Sequence, residues 1–228
     1  CIKPLRIAFD HIGVRKPYEQ AIQFAHEFGL NELSNYMLYN FKDTPEDLYQ
    51  RMRLNIDLNE RLNIRIFSFP MRYQPTDLKE RTHVGDHWSK YYLRSMQIIL
   101  QATHGIVSGS PDFFKQAFGE SVDGFEALLL RPQHYLFNRF WYERYDGKPE
   151  FEAYQRAFAK LSADGKKELA SLLSGVQPVQ FGTLASHASD RAVREVLPFY
   201  AIPSKQAEAE IWRQMKQRQL AAQASVVE

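Results

Sequence analysis

The sequence lacks several features that would place it in a specialised class of protein. It has one cysteine in 228 residues, which excludes a disulfide framework or a cysteine-rich metal site within the chain and fits a reducing cytoplasm. No apolar run approaches the roughly 20 residues that a helix needs to cross a bilayer, so we expect no membrane partner. The formal net charge is only +2, which argues against nucleic acid as the main partner.

The remaining composition is that of a globular protein. Hydrophobic residues make up 44% of the chain and aromatic residues 14%, which is enough for a real core in one domain or slightly more. Residue 1 is cysteine rather than methionine, and Ile2-Lys3-Pro4 leads at once into a strand-like segment. Because no polar tether follows the cysteine, we expect a truncated chain rather than a lipid-anchored one.

The first seventy residues show an alternation of strand and helix patterns. Residues 5–9 are apolar with a β-branched centre and predict a buried strand, and apolar residues at helical spacing follow over 17–28. Residues 33–39 predict a second strand. Thr44 and Pro45 suit the cap and first position of a second helix. Residues 64–69 predict a third strand that ends at Pro70.

The first two of these units superimpose at an offset of 28 residues, with Leu5 on Leu33 and Pro17 on Pro45. A period of roughly 30 residues is typical of a strand–helix unit. Strands joined by helical crossovers lie parallel, and the connections are right-handed. The sequence therefore predicts an α/β fold with three parallel β/α units, from either a doubly wound sheet or a barrel.

The pattern becomes helical after a polar loop. We predict a partial β/α barrel over residues 1–86, a helical extension packing on it over 87–146, and a helical region of unknown role over 147–228. The boundary near residue 146 is marked by an Asp-Gly-Lys-Pro segment. The predicted helices beyond the loop cover residues 88–103, 111–118, 125–130, 135–142, 150–161, 166–173 and 205–220.

Polar residues follow each predicted strand, and ligands bind at the carboxyl ends of parallel strands. This rule selects Asp10-His11, residues 39–43 and residues 68–72. A carboxylate can hold ribose hydroxyls, an asparagine can pair with a base edge, and an arginine can clamp a carboxylate. Together these groups suit a nucleoside that carries an amino-acid tail. The alternative is that they cap helices and form salt bridges in loops.

One loop carries three possible metal ligands within five residues. His83, Asp86 and His87 are possible ligands for zinc or iron, but three groups in five residues of loop are difficult to aim at one ion. No fourth ligand is evident, so the sequence predicts no metal site in this chain.

Three segments carry a resemblance to a known family. Residues 33–47, which end in Thr44-Pro45-Glu46-Asp47, resemble the fifth strand of radical S-adenosylmethionine (radical SAM) enzymes and the Thr-x-Glu-Asp that opens the next helix. Residues 5–13 (LRIAFDHIG) resemble the fourth strand, and residues 64–75 (IRIFSFPMRYQP) resemble the sixth. The chain departs from the family at Tyr39 and Lys42, where glycines are usual.

The resemblance implies the carboxyl-terminal half of a TIM-like barrel in a cytoplasmic radical SAM enzyme, an oxidoreductase-type protein. The intact enzyme would use S-adenosylmethionine and a 4Fe–4S cluster to generate a 5′-deoxyadenosyl radical that abstracts hydrogen from a substrate. The three cluster cysteines would lie upstream of Cys1, which is read as incidental. The substrate, a small molecule or another kind, and any use of cobalamin are left open.

By position, the resemblance assigns Asp10 to the ribose, Asn40 to the adenine edge and Arg72 to the methionine carboxylate, with no catalytic residue assigned. The isolated chain is expected to be inactive, since the cluster ligands and the amino-terminal half of the barrel are missing. It should also expose a sheet edge beside its first strand.

Two other functions remain open on the sequence. The helices from Trp88 onward suit a protein-binding or scaffolding module for which the β/α part is only a platform. A β/α-barrel enzyme without iron is the other alternative, with Asp10 and His11 as acid and base.

Overall fold

The computed structural model describes residues 4–77 and 79–224, so Cys1 lies outside the described residues. The chain forms two compact units, Cys1–Leu130 and Arg131–Glu228, and each is described by itself. The division at residues 86 and 146 stays a prediction. Within the described ranges, no helix is long and apolar enough to span a membrane.

The first unit contains a three-stranded parallel sheet in the order β1-β2-β3, which confirms the predicted mixed α/β class and the parallel strands. The strands are β1 (Leu5–Arg6), β2 (Glu32–Tyr39) and β3 (Arg65–Arg72). Leu5 pairs with Leu33, so the sheet register equals the offset of the sequence repeat. The described residues form three strands of a sheet and not a closed barrel.

β2 begins one residue before the prediction, and the other two strands differ from it more. β1 is only two residues long, although the backbone N–H of Phe9 still donates to the carbonyl of Tyr36 at 3.2 Å. β3 continues two residues past Pro70, which pairs with Met37 in the ladder. A proline is tolerated in a strand where its missing N–H is not needed by a neighbour, so Pro70 does not end the strand.

The helices of the first unit follow the predicted alternation. Thr44 caps the second helix by accepting a hydrogen bond from the N–H of Asp47 at 3.0 Å, and Pro45 occupies the first turn, both as predicted. Asn63 ends that helix in the left-handed conformation, at φ 52°. The helices are α1 (Arg15–Glu27), α2 (Pro45–Leu62), α3 (Lys90–Ala102), α4 (Pro111–Phe118) and α5 (Val122–Leu130), with a short 3-10 helix at Ile12–Val14.

The two faces of the sheet have different environments. One face packs on helices: the amide of Asn35 donates to the hydroxyl of Tyr18 on α1, and Ser68 accepts from Asn55 on α2. The other face, here called the open face, is only partly covered. Tyr36 is 40% exposed and Met71 is 47% exposed. The open face comprises Tyr36, Leu38, Phe67, Phe69 and Met71.

The two edges of the sheet also differ. Beside β3, Ser68 and Val107 exchange two backbone hydrogen bonds in an isolated antiparallel bridge, at 2.8 and 3.3 Å. β1 lies at the other edge, and no strand among the described residues pairs with its outer side. The unpaired edge is therefore the one beside the first strand.

A buried ion cluster joins the strand ends to α2. The Arg51 side chain is fully buried, and it forms ion pairs with Asp43, at 3.0 Å, and with Asp47. Its Nη1 also donates to the carbonyl of Phe9 at 2.9 Å, and Asp47 accepts from the N–H of Ile12 at 3.2 Å. These contacts, here called the Arg51 cluster, connect the end of β1, the loop after β2 and the first turns of α2.

We predict that Arg51→Met lowers the free energy of unfolding by about 3–5 kcal/mol, because it leaves two buried carboxylates without a counter-charge. Arg53→Met is the matched control, since Arg53 lies on the same helix and its pair with Asp57 is solvent-exposed. It should cost at most about 1 kcal/mol. Urea denaturation of the two variants measures the difference, and equal losses would contradict a structural role for the Arg51 cluster.

Helices are the only regular secondary structure among the described residues of the second unit. Helices are present in all three of the predicted regions beyond residue 148, and the predicted helix over 135–142 is split in two at Asn138. Three short helical segments were not predicted, because they offer too few turns for a periodic pattern: Pro178–His187, Arg191–Val196 and Leu197–Tyr200. The helices are α6 (Gln133–Phe137), α7 (Arg139–Arg144), α8 (Lys148–Phe158), α9 (Ala163–Gly175), α10 (Arg191–Val196) and α11 (Lys205–Ala224), with 3-10 helices at Pro178–His187 and Leu197–Tyr200.

Aromatic rings form much of the core of this unit. Tyr135 stands in contact with Tyr142, Phe151 and Tyr154, with ring centroids 4.1, 5.9 and 5.6 Å away. His134 packs edge-on against Tyr135 at 4.4 Å, and burial lowers its pKa to about 4. The histidine is therefore neutral in the folded protein at pH 7, and its protonation opposes folding.

We predict that the second unit loses stability as the pH falls from about 6.5 towards 4. In that window the unfolded chain binds a proton at His134, whose ordinary pKa is about 6.5, whereas the folded chain does not. His134→Gln should remove this part of the pH dependence. Thermal melts of the wild type and the variant between pH 7.5 and 5 test this, and parallel curves would refute it.

Candidate binding cleft at the strand ends

A cleft of about 640 Å³ opens where β2 and β3 end. Its size is within the range of small-molecule sites, and it lies at the carboxyl ends of parallel strands, where ligands bind in such sheets. Strand residues, the loop after β3 and one side of α3 form its walls. The lining residues are Leu38, Tyr39, Met71, Arg72, Tyr73, Gln74, Arg81, Leu93 and Gln97.

Of the three residues assigned to the cofactor, Asp10, Asn40 and Arg72, only Arg72 lines the cleft. Its Nη2 donates to the carbonyl of His83 at 2.9 Å, and no carboxylate among the described residues pairs with it. Burial raises the pKa of the neighbouring Tyr39 phenol to about 12, against the opposing effect of the Arg72 charge. Tyr39 is consequently a neutral phenol at pH 7, and it cannot neutralise the guanidinium.

Two further polar residues of the cleft have no partner within the described part of the chain. The amide oxygen and nitrogen of Gln74 are both buried without a hydrogen bond. Arg81 makes no ion pair or hydrogen bond there either. Since no carboxylate lines the cleft, its walls carry two positive charges and an unsatisfied amide.

Asn40 does not line the cleft but holds its outer loop in place. It is fully buried at φ 69°, a backbone conformation that asparagine tolerates better than most residues. Its Nδ2 donates to the carbonyls of Tyr73, at 3.2 Å, and His83, at 3.1 Å, and its Oδ1 accepts from the N–H of Gly85 at 2.8 Å. The side-chain amide is therefore fully engaged. A contact to adenine stays a prediction and would require these bonds to be exchanged.

Gly85, whose N–H donates to Asn40, has no room for a side chain. A Cβ atom at Gly85 would lie 2.7 Å from the carbonyl oxygen of Phe41, closer than real Cβ atoms approach. The loop therefore needs glycine at this position in order to pack against the end of β2.

Asp10 and His11 lie at the end of β1, outside the cleft lining. Asp10 is exposed, and its Oδ1 accepts a hydrogen bond from the N–H of Leu38 at 2.8 Å. The Nδ1 of His11 accepts from the N–H of Gly13 at 2.9 Å and so caps the short 3-10 helix. The structure thus brings Arg72 into the cleft, places Asp10 on the neighbouring strand end, and gives His11 a capping role.

The remaining polar lining residues were missed by the sequence analysis. Gln74 and Arg81 belong to an irregular loop, where no periodicity shows which side chains point inward. Gln97 lies on α3, whose amphipathic pattern marked it only as a polar position. The one available signal was that Gln74 lies two residues after Arg72, close to the strand-end segment.

Residues 4–77 and 79–224 contain no group of three or more histidine, cysteine, aspartate or glutamate side chains arranged to hold a metal ion. His83 instead packs edge-on against Tyr73, with ring centroids 5.4 Å apart.

Comparisons with models of protein families, with curated proteins and with solved structures found no significant match.

We predict that Asn40→Ala lowers the free energy of unfolding by about 2–3 kcal/mol and speeds amide hydrogen exchange over residues 73–86. The variant leaves two carbonyls and one N–H without their partner. Asn40→Gly shares this loss but adopts a positive φ freely, so it should be less damaging by about 1 kcal/mol. Unchanged exchange in the loop of both variants would contradict the role assigned to the Asn40 amide.

Proposed function

We propose that the chain is the carboxyl-terminal part of a radical SAM enzyme, in which β1, β2 and β3 are the fourth, fifth and sixth strands of a TIM-like barrel. The observation that carries the proposal is the cleft at the carboxyl ends of parallel strands. The three segments that contain these strands resemble the fourth, fifth and sixth strands of the family, in the same order along the chain. Within the cleft, Arg72 is a cation without a carboxylate partner.

The open face supports the barrel. Parallel sheets are normally covered on both faces, by helices or by the opposite wall of a barrel. Here Tyr36 and Phe69 contact each other at 5.6 Å, and Tyr36 and Met71 remain about half exposed. Large apolar side chains on a sheet face of this kind suit the interior of a barrel that further strands would complete.

Of the three contacts assigned to this chain, those to the methionine carboxylate and to the ribose of S-adenosylmethionine fit the residues as they stand. Arg72 would hold the methionine carboxylate, since a guanidinium recognises a carboxylate in a bidentate manner. Asp10 would hold the ribose diol through Oδ2, because Oδ1 already accepts from Leu38. Asn40 would reach the adenine edge only after releasing the loop, so that loop movement and adenine binding would be coupled.

The chemistry would come from the cofactor, which supplies a carbon-centred radical for hydrogen abstraction once it is reduced by a 4Fe–4S cluster. The cluster would be held by three cysteines outside this chain. The residues of the chain would orient the cofactor and keep water out. Tyr39 and Trp88 would serve this purpose at the end of β2, where both rings are buried with their centroids 5.2 Å apart.

The test uses the complete product of the reading frame that encodes this chain, purified without oxygen and reconstituted with iron and sulfide. We expect a reduced-cluster signal in electron paramagnetic resonance that changes when S-adenosylmethionine is added, and release of 5′-deoxyadenosine under reducing conditions. A reading frame without three cysteines spaced as C-x3-C-x2-C, or a product that assembles no cluster, would refute the proposal.

We predict that Asp10→Ala weakens the binding of S-adenosylmethionine by about tenfold or more, because a hydrogen bond to a charged group contributes about 1.5–3 kcal/mol. Asp10→Asn keeps an acceptor for the Leu38 N–H and should lose less. Asp112→Ala, at an exposed acid on α4, is the control and should bind normally. Calorimetric titration measures the three affinities, and normal binding by Asp10→Ala would remove Asp10 from the site.

A further inference from the structure

The cleft contains polar side chains that the proposed contacts to S-adenosylmethionine do not involve. Those contacts engage Arg72, but Arg81 also lines the cleft and has no partner within the described residues. No aspartate or glutamate is among the lining residues. A second unpaired guanidinium at a strand-end cleft favours a second anionic group as ligand.

Gln74 supplies an independent sign of a missing ligand. Both polar atoms of its side chain are buried and make no hydrogen bond. A buried amide without a partner costs free energy, and such groups in folded proteins nearly always have one. Because the amide carries both a donor and an acceptor, a ligand with complementary groups would satisfy it once the side chain turned towards the cleft.

The rest of the lining defines the body of that ligand. Leu38 and Met71 are side chains of the open face, and Leu93 of α3 adds a third apolar contact. A volume of about 640 Å³ suits a small molecule rather than a folded macromolecule. The ligand should therefore combine an apolar portion with an anionic end.

We propose that the cleft binds the carboxylate or phosphate group of a small substrate through the guanidinium of Arg81 and the amide of Gln74. This inference rests on the proposed function in one respect, namely that Arg72 is assigned to the cofactor. The substrate class is then a small anionic molecule with an apolar body, and the Gln74 amide sets its orientation.

The experiment measures the affinity of the complete reading-frame product for two probes, pyrophosphate and citrate, by calorimetric titration. Arg81→Gln should lower the affinity for the tighter-binding probe by tenfold or more. Gln74→Leu, which keeps the side-chain volume, should lower it by about threefold or more. Arg61→Gln is the matched control, because Arg61 is an exposed arginine near the end of α2 and its loss changes the net charge equally. It should bind the probe within twofold of the wild type.

Competition with S-adenosylmethionine separates a substrate site from a cofactor site. If the cofactor displaces the probe, and Arg81→Gln weakens the cofactor as much as the probe, Arg81 belongs to the cofactor site and the inference is overturned. Equal probe affinity for wild type, Arg81→Gln and Arg61→Gln also overturns it. A product that binds the probe through Arg81 but assembles no iron–sulfur cluster would refute the radical mechanism and support the anion site.

Discussion

The geometry of the strand ends depends on one buried guanidinium. A charge removed from water must be paired and hydrogen-bonded, and Arg51 meets this need through two carboxylates and the carbonyl of Phe9. Those partners belong to the end of β1, the loop after β2 and the start of α2, so that satisfying one side chain determines how three segments meet. Trp88 extends the arrangement, because its indole N–H donates to the carbonyl of Asp43 at 3.0 Å and thereby ties the segment before α3 to the same point.

Asn40, which follows β2, holds the loop after β3 in place. Its amide connects the end of β2 to the loop over residues 73–86, and the loop carries Gln74 and Arg81 into the cleft. The polar groups of the site consequently divide into two kinds. Those of Arg51 and Asn40 are fully hydrogen-bonded inside the protein and position the backbone. Those of Gln74 and Arg81 have no partner among the described residues, which is the physical reason for proposing that they bind a ligand.

The sequence pointed to the edge of the sheet where the cleft lies, but of the three named residues only Arg72 lines the cleft. The rule that ligands bind at the carboxyl ends of parallel strands selected Asp10, Asn40 and Arg72, and a cleft is present at that edge. The rule cannot distinguish a residue that faces a ligand from one that supports a loop. Asn40 has backbone partners 33 and 43 residues along the chain, and that distance hides them from any local pattern. Gln74 and Arg81 lie in irregular structure, where side-chain direction follows no period.

Local interactions explain what the sequence determined by itself. The parallel strands, their 28-residue register and the Thr44–Pro45 helix start depend on hydrophobic spacing, capping chemistry and the length of a crossover, all of which are contained in short stretches of chain. Tertiary structure alone decided that β3 runs past Pro70, which side chains enter the cleft and which polar groups find partners inside the protein. Those outcomes depend on contacts between residues distant in sequence, where packing and the pairing of buried polar groups override local preference.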